Sequence, residues 1–150
     1  MATLKLYLDA CALNRLTDDQ RQPRIRREAE AVEEIFHLIE VGKAVWVSGD
    51  AVELEIRRNP DVQRRQDVLG LLPIATERVA ITAPVRERAI TLENAGYGAF
   101  DALHVASAEQ AGADVLITTD DRFLKQARRG LGEPRVQVQN PLDWLQEASL

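Results

Sequence analysis

Short apolar runs and amphipathic stretches alternate along the chain. The first run, from Leu4 to Leu8, stops at Asp9, which is the pattern of a buried strand that leads into a loop. Between residues 26 and 41 the apolar residues recur at three- and four-residue steps, which predicts an amphipathic helix. The same reasoning predicts strands at residues 4–8, 44–48, 79–82, 115–118 and 135–138.

Glycine and proline mark the ends of the predicted helices. Gly42 closes the first helix, Asn59-Pro60 and Pro73 end two more, and Pro84 suits the first turn of another. The predicted helices cover residues 26–41, a segment ending at 58, and residues 61–72, 84–95, 101–111, 121–129 and 141–147. Strands that alternate with helices favour a parallel sheet covered by helices on both faces.

Length and composition are those of one domain with a hydrophobic core. Of the 150 residues, 45% are hydrophobic and 29% are charged, so we expect a single domain over residues 1–150. The lone cysteine, Cys11, excludes an internal disulfide and fits a reducing compartment. Residues 1–8 lack the features of a signal peptide, and no apolar run has membrane-spanning length. We therefore expect a cytoplasmic protein without membrane contact.

The formal net charge of −5 argues against a nonspecific nucleic-acid binder, because such a binder needs a basic footprint for phosphates. It is compatible with a nuclease, since bound cations offset a cluster of metal-binding acids. Basic residues are also concentrated locally, either as solvated helix faces or as phosphate contacts. The two groups are Arg21, Arg24, Arg26 and Arg27, and Arg57, Arg58, Arg64 and Arg65.

Acidic residues follow three of the predicted strands. Asp9 comes directly after the first, Asp120 follows the fourth, and Glu53 and Glu55 lie one to two helical turns beyond the second, while Asp101 opens a helix of small apolar residues. Ligands of parallel sheets bind beyond the carboxyl ends of the strands, where these acids would repel one another without a cation. Divalent ions such as Mg²⁺ and Mn²⁺ prefer oxygen ligands and promote phosphodiester hydrolysis. The pattern predicts a metal-dependent hydrolase, although any one of these acids alone could be a helix cap or a loop residue.

Four segments of the chain resemble the PIN domain, in the order YLDACALN, EIRRNP, FDALHVASA and LITTDDRFL. The resemblance spans essentially the whole chain, and its most specific parts are FDALHVASA and LITTDDRFL. It implies a three-layer α/β/α sandwich with a central parallel sheet of about five strands. It also implies a ribonuclease that depends on Mg²⁺ or Mn²⁺, and many PIN domains of bacteria and archaea are VapC-like toxins.

The resemblance assigns the catalytic acids residue by residue. They fall on Asp9, Glu55, Asp101 and Asp120, and the expected metal ligands are Asp9, Asp101 and Asp120. Most of the direct metal coordination is expected from Asp9 and Asp101. Glu55 is preferred as the second acid because the IRR after it matches the family's helix tail, and Glu53 stays open as the alternative.

The surroundings of these acids raise further expectations. Where PIN domains commonly carry polar residues after the first acid, this chain has alanine and then Cys11, which we interpret as a buried structural thiol. The resemblance implies that Thr119 supplies a hydroxyl to metal-bound water. His104 is interpreted as a packed core residue, with a hydrogen bond near the site as the alternative. Trp46 and Trp144 are expected in the core.

The resemblance also implies partners: an RNA substrate, a second copy in a homodimer and, for the toxin of a type II toxin-antitoxin pair, a cognate antitoxin protein. Phosphoryl transfer through an aspartyl phosphate is disfavoured. Cys11 stands where a dehalogenase-type phosphatase has its second Asp, and Thr82 and Ala83 stand where a receiver has its phosphoacceptor. A non-catalytic PIN-like module that binds RNA or protein is the remaining alternative. The four retained acids argue against it, because they repel one another and a binding module does not need them.

Overall fold

A parallel sheet of five strands forms the centre of the structure, a computed structural model that describes residues 3–148. The strand order is β3-β2-β1-β4-β5, so the first strand is central and has a neighbour on each side. The predicted α/β fold around a parallel sheet is confirmed. The strands are β1 (Leu4–Leu8), β2 (Ala44–Gly49), β3 (Glu77–Val79), β4 (Val115–Ile117) and β5 (Gln137–Gln139).

Helices connect the strands and flank the sheet, which gives the three layers expected from the sequence. Helix α6 is rich in small buried residues, and this allows it to pack closely against α5. Within residues 3–148, no helix combines the length and the apolar character needed to cross a bilayer. The helices are α1 (Ala10–Asn14), α2 (Pro23–Glu40), α3 (Asp50–Ile56), α4 (Val62–Leu69), α5 (Ala83–Ala95), α6 (Ala99–Gln110), α7 (Asp121–Arg128) and α8 (Pro141–Ala148).

Both tryptophans lie in the hydrophobic core, as predicted. Trp46 is completely buried on β2, and its ring meets Phe36 of α2 edge to face, with 4.9 Å between the ring centroids. Trp144 of α8 is also buried. Such aromatic contacts add to the burial of apolar area and fix α2 against the sheet.

The third strand lies two residues earlier than predicted, at 77–79 instead of 79–82. It pairs with β2 through Val47 opposite Glu77, Ser48 opposite Arg78 and Gly49 opposite Val79. Strand β2 ends at Gly49, where α3 begins, so residues 80–82 have no strand beside them. The prediction followed the β-branched run and was wrong because the length of the partner strand limits the pairing.

A short helix directly after Asp9 was missed in the sequence. Helix α1 has only five residues, which is too few to display a helical period. Asp9 is its N-cap, and its Oδ1 accepts a hydrogen bond from the backbone N–H of Ala12 at 2.9 Å. The first acid is therefore held at a helix start as well as at a strand end.

Two helix boundaries differ from the prediction by three residues. Helix α2 begins at Pro23 instead of residue 26, because the fixed φ of proline suits the first helical turn. Helix α4 ends at Leu69 instead of residue 72, and a separate 3₁₀ turn follows over Leu72–Ile74. These shifts leave the element order unchanged.

Gly49 joins β2 to α3 at a place where a side chain does not fit. A Cβ atom on Gly49 would lie 2.7 Å from both the Cγ1 atom and the carbonyl oxygen of Val79. The carbonyl cannot rotate away, so we expect Gly49→Ala to lower the free energy of unfolding by about 1–3 kcal/mol. Chemical denaturation measures this, with Gly70→Ala as the control, since its Cβ would make only ordinary contacts from 3.4 Å. Equal losses in the two variants would contradict the expectation.

Candidate active site

Four acidic side chains converge where β1, β2 and β4 end. Asp9 directly follows β1, Asp120 follows β4 at the start of α7, and Glu55 is carried by α3, which begins where β2 ends. Asp101 comes from the first turn of α6. Their charges act on one another, since Asp9, Asp120 and Glu55 each add to the rise that burial causes in the pKa of Asp101. The structure thus brings the four sequence-predicted acids near enough for their charges to act on one another.

Asp9 is a buried carboxylate with one unsatisfied oxygen. Only 1% of the residue is exposed, and while Oδ1 caps α1, Oδ2 is buried without a hydrogen-bond partner. Burial raises the pKa of Asp9 to about 6, although His104 and Thr118 act in the opposite direction. A buried carboxylate oxygen without a partner is costly, and a cation is the partner that would compensate it.

Asp101 is partly exposed and does not cap its helix. The N-cap position of α6 is Gly98, and no described residue donates a hydrogen bond to the Asp101 carboxylate. Burial, followed by the charges of Asp9 and Asp120, raises the pKa of Asp101 to about 7. The ionised form is therefore destabilised near neutral pH in the metal-free protein.

Asp120 has two roles in the geometry. Its Oδ1 accepts hydrogen bonds from the backbone N–H groups of Arg122 at 2.9 Å and Phe123 at 3.2 Å, which caps α7. Its own backbone N–H donates to the Thr118 hydroxyl at 3.2 Å. Asp120 therefore is a helix cap through Oδ1, as one interpretation of the sequence allowed. Its Oδ2 atom takes no part in the cap. The neighbouring Asp121 forms a bidentate ion pair with Arg24.

Glu53 and Glu55 lie on different sides of α3. Glu55 Oε1 lies 2.8 Å from His104 Nε2, which is hydrogen-bond distance. The charge of Glu55 contributes to the raised pKa of Asp101. Glu53 instead lies near two guanidinium groups, 3.5 Å from Arg57 and 3.4 Å from Arg78. The geometry favours Glu55 over Glu53 as the second acid of the crevice.

His104 and Tyr7 join the acids through a hydrogen-bonded chain; the sequence interpretation gave a His104 hydrogen bond near the site as its alternative and did not include Tyr7. His104 is fully buried, as expected of a core residue, but its ring also contacts Glu55 and lies 2.8 Å from the Tyr7 hydroxyl through Nδ1. One sequence signal was available: a tyrosine in a fully buried central strand needs a partner for its hydroxyl. His104, which lies one helical turn after Asp101, was a candidate for that partner.

Cys11 is less buried than expected, and the hydroxyl role of Thr119 stays a prediction. Cys11 is partly exposed instead of buried, and burial together with Asp9 and Glu55 raises the pKa of its thiol far above the ordinary value. This shift disfavours the thiolate, which is the nucleophilic form of cysteine. Thr118, next to Thr119 in the chain, lowers the pKa of Asp9, which burial raises. Thr119 is buried, and its carbonyl accepts a hydrogen bond from Arg24 at 3.2 Å.

The donor set fits a hard, partly hydrated divalent cation. The unsatisfied Oδ2 of Asp9 and the raised pKa of Asp101 are both relieved by positive charge. In this conformation no three acidic, histidine or cysteine side chains of residues 3–148 form a group that could hold an ion. Unscreened carboxylates repel one another, and Mg²⁺ keeps several waters while contacting only one or two carboxylates directly. The arrangement is therefore unlike a closed structural metal site.

Arg58 is an exposed basic side chain close in the fold to Asp101. Its guanidinium lies over the ring of Phe100, 5.5 Å from the centroid, and Phe100 directly precedes Asp101. Among the described residues Arg58 has no carboxylate partner, whereas Arg57 lies beside Glu53 and Arg64 pairs with Asp18. The stacked position leaves the Arg58 donors available to a ligand.

The four acids differ in exposure: Asp9 is buried, whereas Glu55, Asp101 and Asp120 are partly exposed. A groove of about 890 Å³ lies elsewhere, between α7, β5 and α8, and none of the four acids lines it. Partly exposed carboxylates are accessible to a polymer backbone, whereas small-molecule sites bury most of their ligand.

Fold and site together define an α/β/α protein with a carboxylate cluster at the carboxyl ends of its central strands. The PIN domain model matches residues 6–129, and the chain belongs to this family. The family resemblance predicted from the four sequence segments is confirmed. No curated protein sequence matches the chain.

Two solved structures share the fold at low sequence identity. VapBC2 from Rickettsia felis, bound to a DNA fragment from its promoter, aligns with a TM-score of 0.60 and 14% identity over 91% of this chain and 98% of that one. VapC20 from Mycobacterium tuberculosis, a toxin that cleaves the sarcin-ricin loop, aligns with a TM-score of 0.57 and 16% identity over 85% and 97%. At these identities the likeness establishes the fold.

Proposed function

We propose that the protein is a single-domain, divalent-metal-dependent endoribonuclease that hydrolyses RNA phosphodiester bonds. The observation that carries the proposal is the convergence of Asp9, Asp101 and Asp120 at the ends of β1 and β4, with Asp9 Oδ2 buried and unsatisfied. Such an arrangement imposes repulsion on the metal-free protein, and a function that uses a cation explains its presence. Membership of the PIN family supports the same conclusion.

Asp9, Asp101 and Asp120 would hold the cation, which is Mg²⁺ or Mn²⁺. When bound, such an ion lowers the pKa of a coordinated water and neutralises charge on the phosphate. The protein's own residues have separate tasks: Asp9 and Asp120 are fixed by their helix caps, and Glu55 is fixed by His104. Glu55 is the acid that accepts a proton from, or orients, the attacking water.

Arg58 is proposed to contact an RNA phosphate beside the acids. Its exposed guanidinium lacks a carboxylate partner among the described residues and is supported by Phe100. Arg57 is the second candidate, although its side chain lies near Glu53. Bidentate donation to phosphate oxygens is the interaction that guanidinium groups make best.

Arg58→Ala is expected to weaken RNA binding about three- to tenfold and to reduce the slope of log affinity against log salt by about one. The Arg57→Ala, Arg58→Ala double variant should lose more affinity and salt dependence. Binding of a non-cleavable RNA at several salt concentrations, without divalent metal, measures both quantities. Arg129→Ala is the matched control, because Arg129 is exposed at the opposite end of α7 from Asp120. Unchanged affinity and slope in the double variant would remove both arginines from the account.

We further infer that the protein is the toxin of a type II toxin-antitoxin pair, acts in the cytoplasm and forms a homodimer. The structural likeness to VapBC2 and VapC20 supports a cognate antitoxin protein as partner and structured RNA as target. Exposed apolar side chains on α3 and α5, Leu54 and Ile90, offer surfaces for protein contacts. Co-expression with the neighbouring reading frames, followed by co-purification, tests for the antitoxin.

The test of the activity is cleavage of a panel of structured and single-stranded RNAs with Mg²⁺, with Mn²⁺ and with EDTA. The account predicts endonucleolytic products with either metal and none with EDTA. Cleavage that persists in EDTA would contradict the metal dependence. No cleavage of any RNA by folded protein with either metal, together with retained RNA binding, would favour a non-catalytic binding module.

A further inference from the structure

A buried chain of hydrogen bonds links the central strand to the second acid of the crevice. Tyr7 of β1 lies 2.8 Å from His104 Nδ1, and His104 Nε2 lies 2.8 Å from Glu55 Oε1. Tyr7 and His104 are both completely buried, and the three residues come from β1, α6 and α3. The chain therefore ties together three elements that are distant in sequence.

The acceptor character of Glu55 fixes which nitrogen of His104 carries a proton. An ionised carboxylate only accepts hydrogen bonds, so His104 Nε2 must donate. The Tyr7 hydroxyl pairs with Nδ1 in either ring state: it donates to a neutral ring, or it accepts from a charged ring. In the second case its own proton turns to Ser107, whose hydroxyl is buried beside Tyr7 with no other partner. Both states keep the proton on Nε2.

The imidazole ring is held from both sides. Phe100 stacks on it at an angle of 27°, with 6.3 Å between centroids, and the Tyr7 ring lies 5.6 Å away. Glu55, in contrast, is a long side chain on the surface-facing part of α3 with 27% of the side chain exposed. A rigid donor that occupies one carboxylate oxygen removes most of the rotamer freedom that such a glutamate would otherwise keep.

We propose that His104, oriented by Tyr7, is a positioning residue that occupies Oε1 of Glu55 and leaves Oε2 directed to the reaction. This role rests on the proposed ribonuclease function, because it places Glu55 for proton transfer or water orientation. Oε2 has no hydrogen-bond donor among residues 3–148, so it is the oxygen available to water or substrate. His104 acts through Glu55 and does not itself contact the substrate.

The first test observes the imidazole directly in the metal-free, full-length protein. Nitrogen-15 NMR of the histidine side chains should show His104 protonated at Nε2, with slow exchange of that proton because the ring is buried. Glu55→Gln should shift the Nε2 resonance, and Glu53→Gln on the same helix should leave it unchanged. A proton on Nδ1 alone, or no response to Glu55→Gln, would overturn the proposal whatever the enzymatic activity.

The second test uses two amide substitutions of similar polarity. Gln at position 104 can place an N–H near the Nε2 position, whereas Asn is too short to reach Glu55. His104→Asn should lower kcat about 10- to 100-fold with little change in KM, and His104→Gln should restore most of the loss. Tyr7→Phe, which keeps the ring and removes only the hydroxyl, should give a smaller loss of kcat.

A double-mutant cycle separates positioning from general stability. If His104 acts through Glu55, then His104→Asn should add almost nothing to the effect of Glu55→Gln. Full additivity of the two losses, or equal kcat in the Asn and Gln variants, would overturn the inference while wild-type cleavage still supports the ribonuclease. Absence of cleavage by the wild-type protein would instead contradict the proposed function and this role with it.

Discussion

Asp9→Asn is expected to reduce metal-dependent RNA cleavage by at least about a hundredfold, since charge stabilisation by a bound metal is worth several kcal/mol. Asn keeps an oxygen that can accept the hydrogen bond from Ala12 N–H, so the cap of α1 survives. The substitution replaces the unsatisfied Oδ2 atom by an amide nitrogen. An amide nitrogen cannot bind a cation. Steady-state cleavage with saturating Mn²⁺ measures the effect.

Asp67→Asn provides the matched control for this experiment. Asp67 is exposed on α4 and accepts a hydrogen bond only from the neighbouring Gln63 side chain among the described residues. Its replacement removes the same charge from the protein without changing the crevice, so cleavage should stay close to the wild-type rate. A comparable loss in both variants would show that net charge, and not the position of Asp9, limits the reaction.

Asp101→Asn is expected to stabilise the metal-free protein while it destroys the site. Burial and the charges of Asp9 and Asp120 raise the pKa of Asp101 from 3.8 to about 7, so the folded state binds its proton more tightly than the unfolded state. Below about pH 4 the group is protonated in both states and contributes nothing. As the pH rises from about 4 to 7, the wild-type protein loses stability, and the penalty is complete above pH 7.

The variant lacks this titration, so at pH 8 it should be more stable than the wild type by about 1–2 kcal/mol, allowing for solvent screening of a partly exposed group. Urea denaturation at pH 5 and pH 8 in EDTA measures the difference. Added Mn²⁺ should stabilise the wild type more than the variant, because only the wild type retains the full set of ligands. Destabilisation of Asp101→Asn at pH 8 would show that the carboxylate is favourably placed without metal.

The order of elements could be predicted from the sequence because it depends on local patterns. The apolar run at residues 4–8 stops at Asp9, the run at 115–118 is separated from Asp120 by one residue, and glycine or proline closes most helices. The strand at 79–82 was placed incorrectly because its length depends on β2, which ends at Gly49. The short helix after Asp9 was missed because five residues cannot show a period.

The acids of the candidate site could be predicted from the sequence, but the residues that hydrogen-bond to them could not. Asp9 and Asp120 are visible as acids that follow strands, and Asp101 as an acid in an otherwise small and apolar segment. The partners of Glu55 depend on packing between residues 49 positions apart or more, which no local pattern reveals.

The central claim is that these carboxylates bind a divalent cation and that the bound ion enables RNA cleavage. The most direct measurement titrates Mn²⁺ into one preparation and records both the bound metal, by loss of the free-ion electron paramagnetic resonance signal, and the rate of RNA cleavage. The account predicts that the two curves rise together in the wild type and that both are lost in Asp101→Asn. Cleavage without bound Mn²⁺, or Mn²⁺ binding that survives in Asp101→Asn with unchanged affinity, would contradict it.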